Sequence, residues 1–309
     1  MRSRRWRDVF QPGHVLLAVC LIAALPPVAT ATGAKPPGAR PSGPDLRSGA
    51  YYIFDESHAK VLAARNEQVA APIASITKLM TALVVLEADQ PMEEKISITR
   101  DDVRGTAGSS SRLAPGVTLS RADLLHVALM SSENRAAHAL CRTYPGGLQA
   151  CVAAMIAKAR ALHMTTARFV EPTGLSTADV SSPADLAKLV LAAAANETIR
   201  EYSTDPDHTV LVRGRPLEFR NTNLLVDKDD WHVTVQKTGY VADAGRCLVM
   251  QAIIDGRDVV IVLLNSWGTL TRIGDANRVR HWMESSAVRA AAIQTPVREA
   301  PKMADRRLR

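Results

Sequence analysis

The chain has 309 residues, of which 47% are apolar and 22% charged, enough for one sizeable core or two smaller ones. Its net charge of +7 is spread without a basic stripe or interleaved aromatics, which excludes an ordinary nucleic-acid-binding surface. No C-x-x-C, H-E-x-x-H or comparable spacing occurs among its four Cys and eight His, so a metal site is not expected.

Residues 1–31 read as an export signal. Arg2, Arg4, Arg5 and Arg7 make a basic start, Val15 to Leu25 an apolar run, and Ala29-Thr30-Ala31 an A-x-A cleavage site. The apolar run is too short for a membrane span and is ended by Pro26-Pro27. Arg7 interrupts a twin-arginine pattern, and Val19 is too large for a lipoprotein site at Cys20. The signal holds four Arg and one Asp, so the mature chain carries +4. Such mild positive charge favours a polyanionic wall through non-specific attraction only. Three cysteines remain, and in an oxidising compartment Cys141 and Cys151 could pair around Pro145-Gly146-Gly147. Cys247 then stays a buried thiol.

Residues 32–47, rich in Gly, Pro, Ala and Ser, read as a flexible lead-in. Ala50–Phe54 and Lys60–Ala64 flank Asp55-Glu56-Ser57-His58 as a β-hairpin. A nearly all-apolar helix then runs from Ser75 to about Ala88, and a helix of that kind is normally buried. Residues 95–205 are mostly helical. Ser120 and Asp123 open one helix, Leu148–Leu162 forms a second, and Ser182-Pro183-Ala184-Asp185 is a good start for a third. From about 208 the pattern turns to strands: a hairpin of Thr209–Val212 and Leu217–Arg220, then Trp231–Tyr240, Cys247–Ile254 and Val259–Leu264. A last helix spans about Leu270 to Ser285, and residues 286–309 form a charged tail expected to be disordered. Strands at both ends with helices between them imply an α/β fold: an antiparallel sheet flanked by helices, with an inserted all-helical subdomain. The cleft between the two is the expected site.

Three short motifs carry the chemistry. Ser75 and Lys78 are three residues apart, on one face of the apolar helix. A desolvated lysine loses basicity and can take a proton from a serine that attacks a carbonyl. The first helical turn also offers unpaired N–H groups for an oxyanion. By itself Ser-x-x-Lys equally fits an N-cap followed by a lysine reaching for solvent. Ser132 and Asn134 lie two apart in a turn between helices and can point into a cleft, although Ser and Asn also favour caps. Lys237-Thr238-Gly239 ends a strand, where Gly239 would let the Ser75 helix pack close.

In the order S-x-x-K, S-x-N, K-T-G, these motifs match the signature of penicillin-binding proteins and class A β-lactamases. The flanks Ala74–Thr81, Leu129–Ala137, Tyr144-Pro145-Gly146-Gly147, Phe169–Leu175 and Lys237–Tyr240 resemble the low-molecular-mass D-alanyl-D-alanine endopeptidases of the penicillin-binding protein 7 type. The resemblance covers about residues 48–285, expected as a single catalytic domain. It implies Ser75 as nucleophile, Lys78 as general base and Ser132 as proton relay to the leaving amine. It further implies Asn134 on the substrate's peptide carbonyl, Lys237 setting the electrostatics of the relay, and Thr238 on the carboxylate beyond the scissile bond. Gly239 and Tyr240 are counted with Thr238 in the substrate-binding strand, and the N–H groups of Ser75 and Tyr240 would form the oxyanion hole. The implied substrate is the D-Ala–diaminopimelate cross-link of periplasmic peptidoglycan, with β-lactams as covalent inhibitors, and the implied mechanism needs no metal or cofactor. A D-Ala-D-Ala carboxypeptidase is the alternative within the class. In another class stands a non-catalytic wall-binding protein, against which three intact motifs argue. Glu171 invites comparison with a β-lactamase glutamate, but its E-P-T-G-L context is endopeptidase-like.

Overall fold

A computed structural model describes residues 43–285. The expected signal, the first part of the lead-in and the tail lie outside the described residues. The N-terminal hairpin pairs β1 (Ala50–Asp55) with β2 (Lys60–Arg65), and β3 (Ala71–Pro72) leads into the site. A single 3-10 turn, Ala74–Ile76, precedes α1 (Thr77–Glu87). The helical region then contains β4 (Lys95–Ser97), α2 (Arg100–Gly105), β5 (Thr118–Ser120), α3 (Arg121–Met130), α4 (Asn134–Arg142), α5 (Gly147–Ala161), β6 (Val180–Ser181), α6 (Pro183–Ala194) and α7 (Glu197–Thr204). The chain finishes with the hairpin β7 (Asp207–Val212) and β8 (Arg215–Arg220), the strands β9 (His232–Val241), β10 (Gly245–Ile254) and β11 (Arg257–Ser266), and α8 (Thr271–Glu284).

The main sheet is antiparallel in the order β2-β1-β11-β10-β9. Strands from the two ends of the chain therefore meet, β1 pairing with β11 from Ala50↔Leu264 to Asp55↔Val259. Alternate residues of β11 serve two cores. Val260, Val262 and Leu264 pack towards the helical side, whereas Val259, Ile261 and Leu263 pack with Ala276, Val279 and Met283 of α8. Burial on both faces explains why these strands read as continuous apolar runs.

α1 is the axis of the helical side, buried continuously from Thr77 to Val85. Ser120, Ser182 and Asn196 cap α3, α6 and α7 by accepting from the N–H three residues on, and Pro183 fills the first position of α6. The bridge Cys141–Cys151 ties α4 to α5, with Cα atoms 5.4 Å apart, and Cys247 is a buried thiol.

One boundary differs from composition. The end of the Gly/Pro-rich lead-in is docked: Leu46 is buried, and the N–H groups of Arg47 and Ser48 donate to the Asp275 carboxylate of α8 at 3.1 and 2.7 Å. A buried carboxylate collects N–H donors wherever the chain supplies them, and composition does not register such a partner.

Candidate functional site

Ser75 sits in the 3-10 turn rather than in the α-helix proper, and its neighbour Ala74 has φ 49°. Such left-handed backbone is uncommon for alanine and is held by close packing from two glycines. A Cβ on Gly239 would lie 3.0 Å from the Ile73 oxygen and 3.2 Å from the Ser75 nitrogen. A Cβ on Gly174, itself at φ +77°, would lie 1.8 Å from the Ala74 oxygen. β9, the edge strand of the sheet, and the loop of residues 169–176 thus clamp the Ser75 turn between them. The close approach expected at Gly239 is present; the second glycine contact was not anticipated.

Lys78 follows one turn later with 1% exposure. Its Nζ donates to Ser75 Oγ at 2.9 Å, to Asn134 Oδ1 at 2.6 Å and to the Thr173 carbonyl at 2.7 Å. One amine therefore joins the first motif, the second motif and the 169–176 loop. Burial lowers its pKa from the ordinary lysine range to about 7, while Glu171, Glu133 and Asp179 act in the opposite sense. At neutral pH a substantial fraction is unprotonated and able to accept the proton of Ser75.

Glu171 accounts for the shape of that loop. Its carboxylate accepts from the Thr173 N–H (2.7 Å) and hydroxyl (2.6 Å), the Leu175 N–H (2.8 Å) and the Ser176 N–H (3.3 Å). Burial opposes its charge, but these donors and Asp179 outweigh burial and lower its pKa. Asp179, hydrogen-bonded to Glu171, is pushed up to about 8 by burial and by the Glu171 charge. The two carboxyl groups therefore share a proton, and Asp179 keeps an acceptor for the Val170 N–H at 2.6 Å. Glu171 is occupied in folding the loop that presents the Thr173 carbonyl to Lys78.

The second motif lies between α3 and α4. Ser132 has φ 64°, and its hydroxyl makes no hydrogen bond to another described residue. Glu133 caps α4 through the Arg135 N–H at 3.2 Å, leaving Asn134 to begin the helix and face Lys78. In the third motif Lys237 is fully buried, with Nζ donating to the Thr238 carbonyl at 3.0 Å. Burial, followed by the charges of Lys78 and Arg272, lowers its pKa well below the lysine range. Thr238 Oγ1 lies 2.6 Å from Thr222 Oγ1, and the Thr222 N–H donates to the Met130 carbonyl at 3.0 Å. Thr222 thereby links β9 to the end of α3. Tyr240 is half exposed beyond the strand's buried part.

Ser75, Lys78 and Asn134 are thus in direct contact, and Gly239 packs against Ser75. Sequence reasoning missed Thr173, Gly174, Asp179 and Thr222. Thr173 acts through its backbone carbonyl, which has no residue signature, and Thr222 stands in a segment without a recognisable pattern.

A serine hydrogen-bonded to a buried lysine, between an antiparallel sheet and a helical region, is the arrangement of a serine acyl-transfer hydrolase. The chain belongs to the D-alanyl-D-alanine carboxypeptidase family of serine peptidases, whose family model matches residues 37–268. It is 44% identical over 267 residues to a D-alanyl-D-alanine endopeptidase of Pseudomonas aeruginosa, covering 85% of this chain and 86% of that protein. The Escherichia coli protein of the same name is 40% identical over 294 residues, covering 94% and 95%. Among solved structures, a D-alanyl-D-alanine carboxypeptidase from Mycobacterium tuberculosis superposes with a TM-score of 0.70 at 26% identity, covering 79% and 92%. A mutant of the Streptomyces K15 DD-transpeptidase gives 0.72 at 25% identity, covering 77% and 98%. The expected fold and family are therefore those found.

Proposed function

We propose that this enzyme cleaves the D-Ala–diaminopimelate cross-link of peptidoglycan in the periplasm, through an acyl-enzyme on Ser75. The observation that carries the serine chemistry is the Lys78 amine, shared at 2.6–2.9 Å by Ser75, Asn134 and the Thr173 carbonyl. Cleavage between stems is supported by the endopeptidase names of the relatives above.

In this reading Ser75 Oγ attacks the D-Ala carbonyl carbon while its proton passes to Lys78 Nζ. The N–H groups of Ser75 and Tyr240 hold the oxyanion. Collapse breaks the C–N bond, and the proton taken up by Lys78 is relayed through Ser132 to the leaving amine, which leaves Lys78 neutral again. Water then cleaves the ester and returns Ser75. Asn134 binds the peptide carbonyl of the acyl strand, Thr238 takes the carboxylate beyond the scissile bond, and Lys237 supplies positive potential as that carboxylate arrives. Gly239 keeps β9 against the Ser75 turn. β-Lactams acylate the same serine, and residues 1–31 direct export. Among the described residues no group of three or more His, Cys, Asp or Glu is placed to hold a metal, and no helix is long and apolar enough to span a membrane.

Relatives named carboxypeptidases, at 26–29% identity, favour a second reading in which a terminal D-Ala is released. Purified cross-linked muropeptide dimers and monomeric pentapeptide, offered separately, distinguish the two. The expected result is conversion of dimers to monomers. Release of D-Ala from pentapeptide with dimers left intact overturns the endopeptidase reading.

A further inference from the structure

A groove of about 550 Å³ opens beside the second motif, lined by Arg112, Ser131, Pro216, Leu217, Glu218 and Arg220. Ser131 adjoins Ser132, so the groove starts next to the group assigned to the leaving amine. The opposite wall, β8, continues through Asn221 to Thr222, whose hydroxyl touches Thr238. The groove therefore adjoins the side of the site that handles the leaving group and the carboxylate beyond the scissile bond.

Both walls are fastened to that side. Arg135 Nη1 donates to the Leu113 carbonyl at 2.9 Å, which holds the Arg112 loop to α4. Arg112 crosses to the hairpin, donating to the Glu218 carbonyl at 2.6 Å with its guanidinium 4.0 Å above the Phe219 ring. Arg220 is strongly exposed and pairs with Glu218 at 2.8 Å. Two guanidinium groups against one carboxylate leave the lining with a positive excess.

The two candidate reactions differ in what leaves. A carboxypeptidase expels one D-Ala, whose only carboxylate is already at Thr238. An endopeptidase expels the side-chain amine of a residue within a whole second stem peptide, which carries further carboxylates. A basic groove continuing past the leaving-group position has a use only in the second case. We propose that this groove is the subsite for the second, amine-donating stem peptide of the cross-link, with Arg112 and Arg220 contacting its carboxylates. The proposal rests on the endopeptidase reading and names the residues that would make it selective.

The test uses Arg112→Ala/Arg220→Ala and, as a sharper single change, Arg220→Glu. Three rates are measured on each: cleavage of cross-linked dimer, release of D-Ala from monomeric pentapeptide, and acylation by a fluorescent penicillin. The expected result is a fall of about 10-fold in kcat/KM on dimers, carried by KM, because two solvent-screened charge contacts are lost. Acylation and pentapeptide turnover stay within about twofold, since neither substrate reaches the groove. Added salt weakens dimer cleavage by the wild type more than by the double variant. Dimer cleavage at the wild-type rate in both variants overturns the proposal. A parallel fall of all three rates does so too, because the arginines would then be supporting the site as a whole. A wild-type enzyme that is acylated by penicillin but leaves dimers intact overturns the endopeptidase reading itself, and the subsite with it.

Discussion

Two lysines of the motifs are buried, and the protein holds them differently. Lys78 on α1 has three acceptors, and Glu171, Glu133 and Asp179 oppose part of the effect of burial, so its pKa is about 7. Lys237 on β9 has one backbone acceptor, and its charged neighbours Lys78 and Arg272 reinforce burial. The difference sorts their roles. A lysine whose surroundings balance near neutrality can exchange a proton with Ser75. A lysine starved of counter-charge would be completed by an anion, and the proposed reaction would supply one in the carboxylate at Thr238.

The comparison is broken most completely at its pivot. Ser75→Ala abolishes covalent labelling by a fluorescent penicillin while leaving the melting transition in place; wild-type labelling of the folded variant would refute the assignment. Lys78→Ala should slow acylation by several orders of magnitude, as loss of a serine's base does elsewhere. If it slows acylation only a few-fold, Lys78 is not the base.

Next come the glycines that pack against the Ser75 turn. Gly174→Ala puts a Cβ against the Ala74 carbonyl at φ +77° and should destabilise by roughly 3 kcal/mol or more. Gly239→Ala meets only tight contacts from 3.0 Å and should cost about 1–2 kcal/mol, with a larger effect on acylation than on stability. Denaturant unfolding ranks the pair, and the reverse order would contradict the packing. Away from the site, replacing Cys141 and Cys151 by Ser should cost about 2–3 kcal/mol for the short loop that the bridge closes. An unchanged unfolding midpoint would show that the bridge contributes little.

The smallest effects sharpen the electrostatic side. Acylation should rise with pH through an acid limb near 7, as Lys78 loses its proton. Glu171→Gln removes the carboxylate that most favours the charged lysine, and combined with Asp179→Asn, so that Asp179 cannot take over the charge, it should move the limb to lower pH. Were Glu171 also the base for deacylation, the variant would accumulate acyl-enzyme. Asp179, raised to about 8, binds its proton more tightly folded than unfolded. Its contribution to stability is therefore present at low pH and lost as pH rises towards 8. Asp179→Asn should flatten that part of the stability profile, measured by thermal unfolding from pH 4 to 9.

Most elements were legible because their signals are local. Ser182-Pro183 opens α6 as a cap followed by proline does, and the strand runs of β9 to β11 end at turn residues. The apolar run after Ser75 meant burial, and α1 is buried from Thr77 to Val85. The lead-in was read by composition alone, and Leu46 packs despite its Gly/Pro-rich neighbours because α8 offers Asp275 to the adjoining backbone. Glu171 was visible, but its task was not, since its partners are backbone N–H groups of its own loop.

By itself the sequence determined the residue types and spacings of the chemistry: a serine and a lysine one turn apart, a Ser-x-N turn, and a strand ending in Lys-Thr-Gly. Spacing along one helix or strand fixes which side chains share a face, so these pairs needed no tertiary information. Only the tertiary structure decided that Asn134, 56 positions from Lys78, comes within 2.6 Å of its amine, and that Thr173 closes the triangle. It also decided the basicity of the two lysines. A pKa is set by burial and by charges from distant parts of the chain, and no local pattern encodes those distances.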